Sequence, residues 1–212
     1  DCVSSVGAEV INLKKCDISF CSSSSSKALA SHAGLSFVVG KTLEFEKLKD
    51  LPAKTTYLNL ATFYHFLKTR VQTPNTPSTP LFFALEQSLI DILSEGALKR
   101  FASLRNKAKI LRQGMLRLGL SFLIDQKNMC SVLTTVHLPS HIDMASFRQK
   151  LRAQTIIIYE GKGCFKNRVF QVGNIGELSL GDIQFFLKTL GNVLGDFKEA
   201  RPPSAFVSKL SP

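Results

Sequence analysis

No apolar run in this chain approaches the roughly 18 residues that a membrane-crossing helix needs. The densest stretches, 81–85 and 156–159, are the size of strands or short helices. The opening residues resemble neither a secretory leader nor an amphipathic Arg-rich presequence, so neither is expected. The chain opens without methionine on Asp1-Cys2-Val3-Ser4-Ser5, which reads as the middle of a domain and predicts a fragment. Cysteine is sparse and odd in number, with five residues and no C-x-x-C pair. The four histidines, His32, His65, His137 and His141, are scattered, so no structural zinc site and no other metal is expected. The plain reading is reduced thiols in a cytoplasmic protein. What is present is a globular composition, 44% hydrophobic and 20% charged, rather than a disordered one. The 212 residues suffice for one domain or two small ones with a real core.

The formal charge of +11 has an identifiable source. Lys99, Arg100, Arg105, Lys107, Lys109, Arg112 and Arg117 share a stretch with Phe101, Leu104, Ala108, Leu111 and Met115 at helical spacing. This predicts an amphipathic helix with a solvated basic face. A nucleic-acid or other polyanion surface is the sharper reading, but no basic motif interleaved with aromatics supports it, so nucleic acid is not expected as a partner.

Residues 10–21 and 33–39 each carry a short β-prone segment, and between them lie five serines followed by Lys27. A serine run ordinarily means a linker. Closely flanked by apolar segments, this one predicts a functional loop between paired strands. Residues 57–70 could begin as a strand and continue as a helix, and 73–80 are too rich in proline for either. Helices are predicted over 81–95 and 97–118, broken by Gly96 and stopped by Gly119. Strands follow at 120–124, 131–137, 155–159 and 168–172, with helices near 143–153 and 181–194. That order predicts a small α+β domain with its helices on one face of an antiparallel sheet. The tail, 198–212, is polar, bears prolines and is predicted to fray.

Lys27 is the residue with chemical potential, although a lysine in a serine loop is ordinarily just solvated. An ordered set of motifs alters that reading. Asp1-Cys2-Val3-Ser4-Ser5-Val6-Gly7 is followed by Lys27 26 positions after Asp1. Ala33-Gly34-Leu35-Ser36-Phe37-Val38-Val39 then continues the segment. Asn75-Thr76-Pro77-Ser78-Thr79 precedes Phe83-Ala84-Leu85-Glu86-Gln87-Ser88-Leu89, and further on come Ile158-Tyr159-Glu160-Gly161-Lys162 and Val172-Gly173-Asn174-Ile175-Gly176-Glu177-Leu178. In this order, from residue 1 to about 195, the chain resembles the class V aminotransferases. The later motifs are most similar to the branch that uses 2-aminoethylphosphonate.

The resemblance implies a fold-type I architecture, α/β with α+β, of which this chain is the C-terminal part. Residues 1–60 would end the large domain, 61–90 would join the domains, and 91–197 would form the small domain. It implies pyridoxal phosphate as cofactor, with Lys27 bonding its aldehyde and shuttling protons, and Asp1 pairing with the pyridine nitrogen. Ser26 matches a phosphate-binding position. Thr76 matches a threonine that reaches the cofactor phosphate of a neighbouring subunit, so a homodimer with shared active sites is implied. The reaction implied moves an amino group from a small amine, 2-aminoethylphosphonate, to a 2-oxo acid such as pyruvate. Alanine–glyoxylate or serine–glyoxylate transamination is the alternative within the family. One position departs from the pattern: the arginine that clamps a substrate carboxylate is replaced by Gln171, a neutral donor. Arg168, three residues earlier, could compensate only if the strand were displaced, since an offset of three points to the other face. Gln171, together with the absence of the family's phosphate loop and stacking aromatic, leaves open a non-catalytic oligomerisation or polyanion-binding module. The same absence predicts that this chain alone binds cofactor poorly.

Overall fold

The computed structural model describes residues 1–199; the tail from 200 onward lies outside the described residues. Two compact units divide the chain, Asp1–Ser103 and Leu104–Pro212. The division falls inside one helix, whereas the sequence suggested a boundary near residue 90.

In the first unit, β1 (Phe20–Ser24) and β2 (Ser36–Gly40) pair antiparallel, from Phe20 opposite Gly40 to Ser24 opposite Ser36. Residues 10–19 lie in turns rather than strand, and β1 instead runs into the serine run itself. The cause is periodicity: Cys21 and Ser23 are buried while Ser22 is exposed, so small serines serve as alternating strand positions. Only Ser25 and Ser26 remain for the turn. A short helix, α1 (Thr42–Lys47), follows, and α2 spans Leu60–Arg70. No strand precedes α2, because the Asn59 side chain accepts from the Ala61 and Thr62 amides and caps the helix there. Phe45 of α1 meets the Phe20 ring edge-on and stacks on Tyr64 of α2, both with centroids 5.0 Å apart, tying the strand pair to both helices. Past the irregular stretch 71–78, α3 runs Thr79–Glu95 with a proline in its first turn, where the missing amide hydrogen is no loss.

Gly96, at φ +89, separates α3 from α4 (Ala97–Arg117). Residues 97–103 of α4 belong to the first unit and the remainder to the second. In the second unit β3 (Leu133–His137), β4 (Tyr159–Glu160) and β5 (Val169–Gly173) form an antiparallel sheet in the order β3-β5-β4. The strand expected over 120–124 is reduced to one bridge, Phe122 to Val136, and the strand expected over 155–159 is only the two residues of β4. Helices α5 (Met144–Ala153) and α6 (Leu180–Glu199) complete the unit. Its core joins Leu111 and Met115 of α4, Phe147 and Leu151 of α5, Ile183 and Leu190 of α6, and Val136, Phe170 and Val172 of the sheet. Burial of each large side chain there contributes about 1.5–3 kcal/mol. The alternation places Val136, Phe170 and Val172 on one face of the sheet, beneath the helices.

The basic stretch of α4 is not wholly a solvated face. Arg112 is buried, with its Nε donating to Thr134 Oγ1 (3.1 Å) and its Nη2 to the carbonyls of Cys130 (2.6 Å) and Leu133 (3.2 Å). It pins the helix to the start of β3.

Candidate active site

Lys27 sits in the tight turn that follows β1, with its side chain exposed. The turn is held from within: the amide of Ala30 donates to Lys27 O (2.9 Å) and that of Ser31 to Ser25 O (3.0 Å). Ser25 is fully buried, and its hydroxyl donates to His32 O at 2.6 Å. It is spent on shaping the loop, whereas Ser26, beside Lys27, is exposed.

Residues 1–7 lie against this loop. The Cys2 amide donates to Ser22 O (2.9 Å), and the Ser23 hydroxyl donates to Cys2 O (3.2 Å). One oxygen of Asp1 accepts the Val3 amide at 2.8 Å, which fixes the carboxylate relative to its own backbone. At Gly7, φ is +90, and a Cβ there would come within 2.9 Å of the Ala28 carbonyl carbon and oxygen. The two segments therefore touch backbone to backbone, which only glycine permits. Asp1 and Lys27 are thus carried on adjacent segments of one unit.

Two further residues hold the lysine loop, and neither was recognised from the sequence. Ser88 of α3 donates its hydroxyl to Leu29 O. Arg100 of α4 donates from Nη2 to Ala28 O (3.0 Å) while its Nη1 bonds Glu95 (3.0 Å). Ser88 shares the buried side of α3 with Ile92, one turn on, a placement that helical spacing could have indicated. Arg100 was hidden among the basic residues of α4.

Thr76 lies exposed in the irregular stretch before α3. Gln171 and Arg168 belong to the second unit. Gln171, half-buried in β5, is opposite Thr135 on one side and Tyr159 on the other. Its Nε2 lies 3.5 Å from Thr135 Oγ1. These three neutral side chains make a row on the sheet face that the helices do not cover. Arg168 is exposed in the turn before β5, out of phase with Gln171. The ladder from Leu133–Gly173 to His137–Val169 is continuous, so the displacement that would bring Arg168 onto the face of Gln171 is absent. Asn174, just past β5 and fully buried, donates to Ser131 O (2.8 Å) and fixes the end of the strand.

A carboxylate and a primary amine on touching segments, with a serine hydroxyl beside the amine, fit the groups that pyridoxal phosphate requires. Among the described residues no group of three or more His, Cys, Asp or Glu side chains gathers to hold a metal, and no helix is long and apolar enough to cross a membrane.

Comparison with known proteins shows the family of the chain. The family model for class-V aminotransferases matches residues 1–181. An uncharacterized aminotransferase of Methanocaldococcus jannaschii is 28% identical over 200 residues, covering 90% of this chain and 52% of the relative. A 2-aminoethylphosphonate–pyruvate transaminase of Vibrio cholerae is 29% identical over 198 residues, covering 92% and 53%. Among solved structures, pyridoxamine–pyruvate aminotransferase from Mesorhizobium loti superposes with a TM-score of 0.85 at 23% identity, covering 93% of this chain and 52% of that one. Alanine–glyoxylate aminotransferase from Nostoc superposes at 0.83, also at 23% identity, covering 92% and 52%. The chain spans about half the length of the curated relatives it matches. Its fold is that of the C-terminal part of the fold-type I aminotransferases, and the chain belongs to the class-V aminotransferase family.

Proposed function

We propose that the protein containing this chain is a cytoplasmic, pyridoxal-phosphate-dependent transaminase that moves an amino group from 2-aminoethylphosphonate to a 2-oxo acid such as pyruvate. The observation that carries the reading is the contact between the segment bearing Asp1 and the loop bearing Lys27, closed at Gly7. The relatives named as 2-aminoethylphosphonate–pyruvate transaminases support the choice of donor. In this reading residues 1–60 end the large domain, 61–90 connect, and 91–197 form the small domain.

Pyridoxal phosphate supplies an aldehyde and an electron-withdrawing ring when bound. Lys27 would hold that aldehyde through Nζ. The Lys27 amine would also be the base that moves a proton between substrate and cofactor. Asp1 would keep a proton on the ring nitrogen through its carboxylate. The hydroxyl of Ser26 would donate to the phosphate, and that of Thr76 to the phosphate of a neighbouring subunit, in a homodimer with shared sites. The exposed apolar stripe on α3, Phe82, Phe83, Leu89, Ile90 and Leu93, supports a covering partner there.

Gln171 in the neutral row with Thr135 and Tyr159 offers the oxo acid a donor without charge. Restoring the cation with Gln171→Arg should lower the KM for pyruvate about ten- to a hundredfold, since a charged hydrogen bond is worth about 1.5–3 kcal/mol. Steady-state kinetics of the intact protein checks this; an unchanged KM would remove Gln171 from the substrate site.

The alternative is a fold retained without catalysis, which the neutral Gln171 favours. Adding 2-aminoethylphosphonate to the cofactor-loaded protein separates the two readings. The transaminase converts the cofactor's absorption band to the shorter-wavelength amine form in a single turnover. A non-catalytic protein leaves the spectrum unchanged.

A further inference from the structure

We propose that Ser88 and Arg100 are positioning residues for Lys27, holding the lysine turn, through the carbonyls of Leu29 and Ala28, in a conformation it would not keep by itself. The inference rests on the reading of Lys27 as the cofactor-binding lysine, and it adds two residues to which that reading gives no part.

The turn is closed by the Ala30 amide, which donates to Lys27 O at 2.9 Å. Ala30 itself sits at φ +60, in the left-handed region that an alanine side chain disfavours. Glycine would take that angle without strain. A strained residue of this kind persists only where its surroundings over-determine it.

Two helices provide that constraint. The Ser88 hydroxyl on α3 donates to Leu29 O. That oxygen and the Ala30 amide belong to one peptide plane, and the orientation of this plane sets φ of Ala30. The plane is therefore gripped at both edges, by Ser88 at its oxygen and by Lys27 O at its N–H. One rigid unit links the Ser88 hydroxyl to the main chain of Lys27. The preceding plane is held by Arg100 on α4, whose Nη2 donates to Ala28 O at 3.0 Å. Arg100 is itself fixed, since its Nη1 bonds Glu95 at 3.0 Å. Ala28 and Leu29 are both buried, so either carbonyl would be left unsatisfied by the loss of its donor.

The other flank of Lys27 is anchored independently. Ser25 is fully buried, its hydroxyl donates to His32 O (2.6 Å), and its carbonyl accepts the Ser31 amide (3.0 Å). Lys27 thus projects from a base fixed on both sides. Without Ser88 or Arg100 the freed carbonyl turns to find another donor, Ala30 relaxes out of the left-handed region, and its bond to Lys27 O opens. The point from which the lysine side chain starts then moves. An amine displaced from its working position meets an aldehyde less often, even where the fold survives.

The test has two arms, both on the intact protein. Without cofactor, amide exchange at Ala30 and Ser31 should be about tenfold faster in Ser88→Ala and in Arg100→Met than in wild type. The Leu138 amide, which donates to Arg168 O in the second unit, should be unchanged. With pyridoxal phosphate added and trapped by borohydride, the concentration that half-labels the Lys27 peptide should rise about tenfold in either variant. Adding Ala30→Gly to Ser88→Ala should return that concentration toward wild type, because glycine takes the left-handed angle freely. A general loss of packing would not be repaired by removing a further methyl group. Ser88→Ala deletes one hydroxyl and carries both arms if Arg100→Met fails to fold. The proposal is overturned by unchanged exchange at Ala30 and Ser31, or by faster exchange with unchanged labelling of Lys27. It is equally overturned if Ala30→Gly leaves labelling as poor as in Ser88→Ala. Absence of labelled Lys27 in wild type overturns the cofactor reading itself, and this inference with it.

Discussion

At the scale of single residues, the segment that carries Asp1 and the loop that carries Lys27 meet at a glycine. The positive φ of Gly7 would strain any other residue, and a Cβ would also press on the Ala28 peptide. Gly7→Ala should therefore cost about 2–4 kcal/mol, combining backbone strain of about 1–3 kcal/mol with the displaced contact. Urea denaturation measures it, and a cost near zero would show that the two segments do not hold each other. Arg112 supports a parallel expectation in the other unit. Replacing it by alanine leaves Thr134 and two carbonyls without their donor inside the protein, at about 1–3 kcal/mol for each unsatisfied group. A midpoint shift equivalent to at least about 2 kcal/mol is expected from the same measurement, against less than about 0.5 kcal/mol for an ordinary surface arginine.

At the scale of elements, α5 and α6 of the second unit each begin with a carboxylate that accepts hydrogen bonds from a serine. Asp143 accepts the Ser146 amide (2.8 Å) and hydroxyl (2.9 Å) at the start of α5. Asp182 accepts the Ser179 hydroxyl and amide, both at 2.7 Å, at the start of α6. These bonds hold both carboxyls below the ordinary value of 3.8. A carboxyl lowered on folding stabilises above its unfolded pKa, and the contribution fades as pH falls through the folded value. Amide exchange at Ser146 and Ser179 should accelerate below about pH 4, and Asp143→Asn and Asp182→Asn should abolish that acid dependence. Unchanged acid dependence in the variants would assign it elsewhere.

These helices are also the most legible part of the chain. Period-3.6 patterns and glycine stops locate α3, α4, α5 and α6 within a few residues, since a helix is decided by neighbours along the sequence. The strands are less legible because pairing is decided by distant partners. β1 enters a serine run that composition marks as linker, and only the alternating burial of Cys21 and Ser23 against Cys2 makes it a strand. The helix cap at Asn59 likewise replaces the strand expected before α2. Of the candidate site, Asp1 and Lys27 were singled out through the family resemblance, and the structure carries them on touching segments. Ser88 and Arg100 were not singled out, because each acts on a backbone carbonyl some 59 or 72 positions away, a link that no local pattern records.

At the scale of the whole molecule, the units differ in how completely they are built. The second has a continuous core, with Phe147, Phe170 and Leu190 fully buried. The first buries few large apolar side chains and leaves Leu58, Val71, Phe83 and Leu93 largely exposed. A homodimer is the expected cover for part of this surface. Sedimentation of the intact protein should give twice the protomer mass, and Phe83→Lys with Leu93→Lys should shift it toward monomer. A monomeric wild type would contradict the shared-site reading while leaving the chemistry at Lys27 open. In the proposed transaminase Lys27 holds the cofactor. The direct measurement is to load the intact protein with pyridoxal phosphate, reduce with borohydride, and locate the added mass by peptide mapping. The cofactor is expected on the peptide containing Lys27, and none there in Lys27→Ala. Label spread over several surface lysines, or the same labelling pattern in Lys27→Ala, would contradict it.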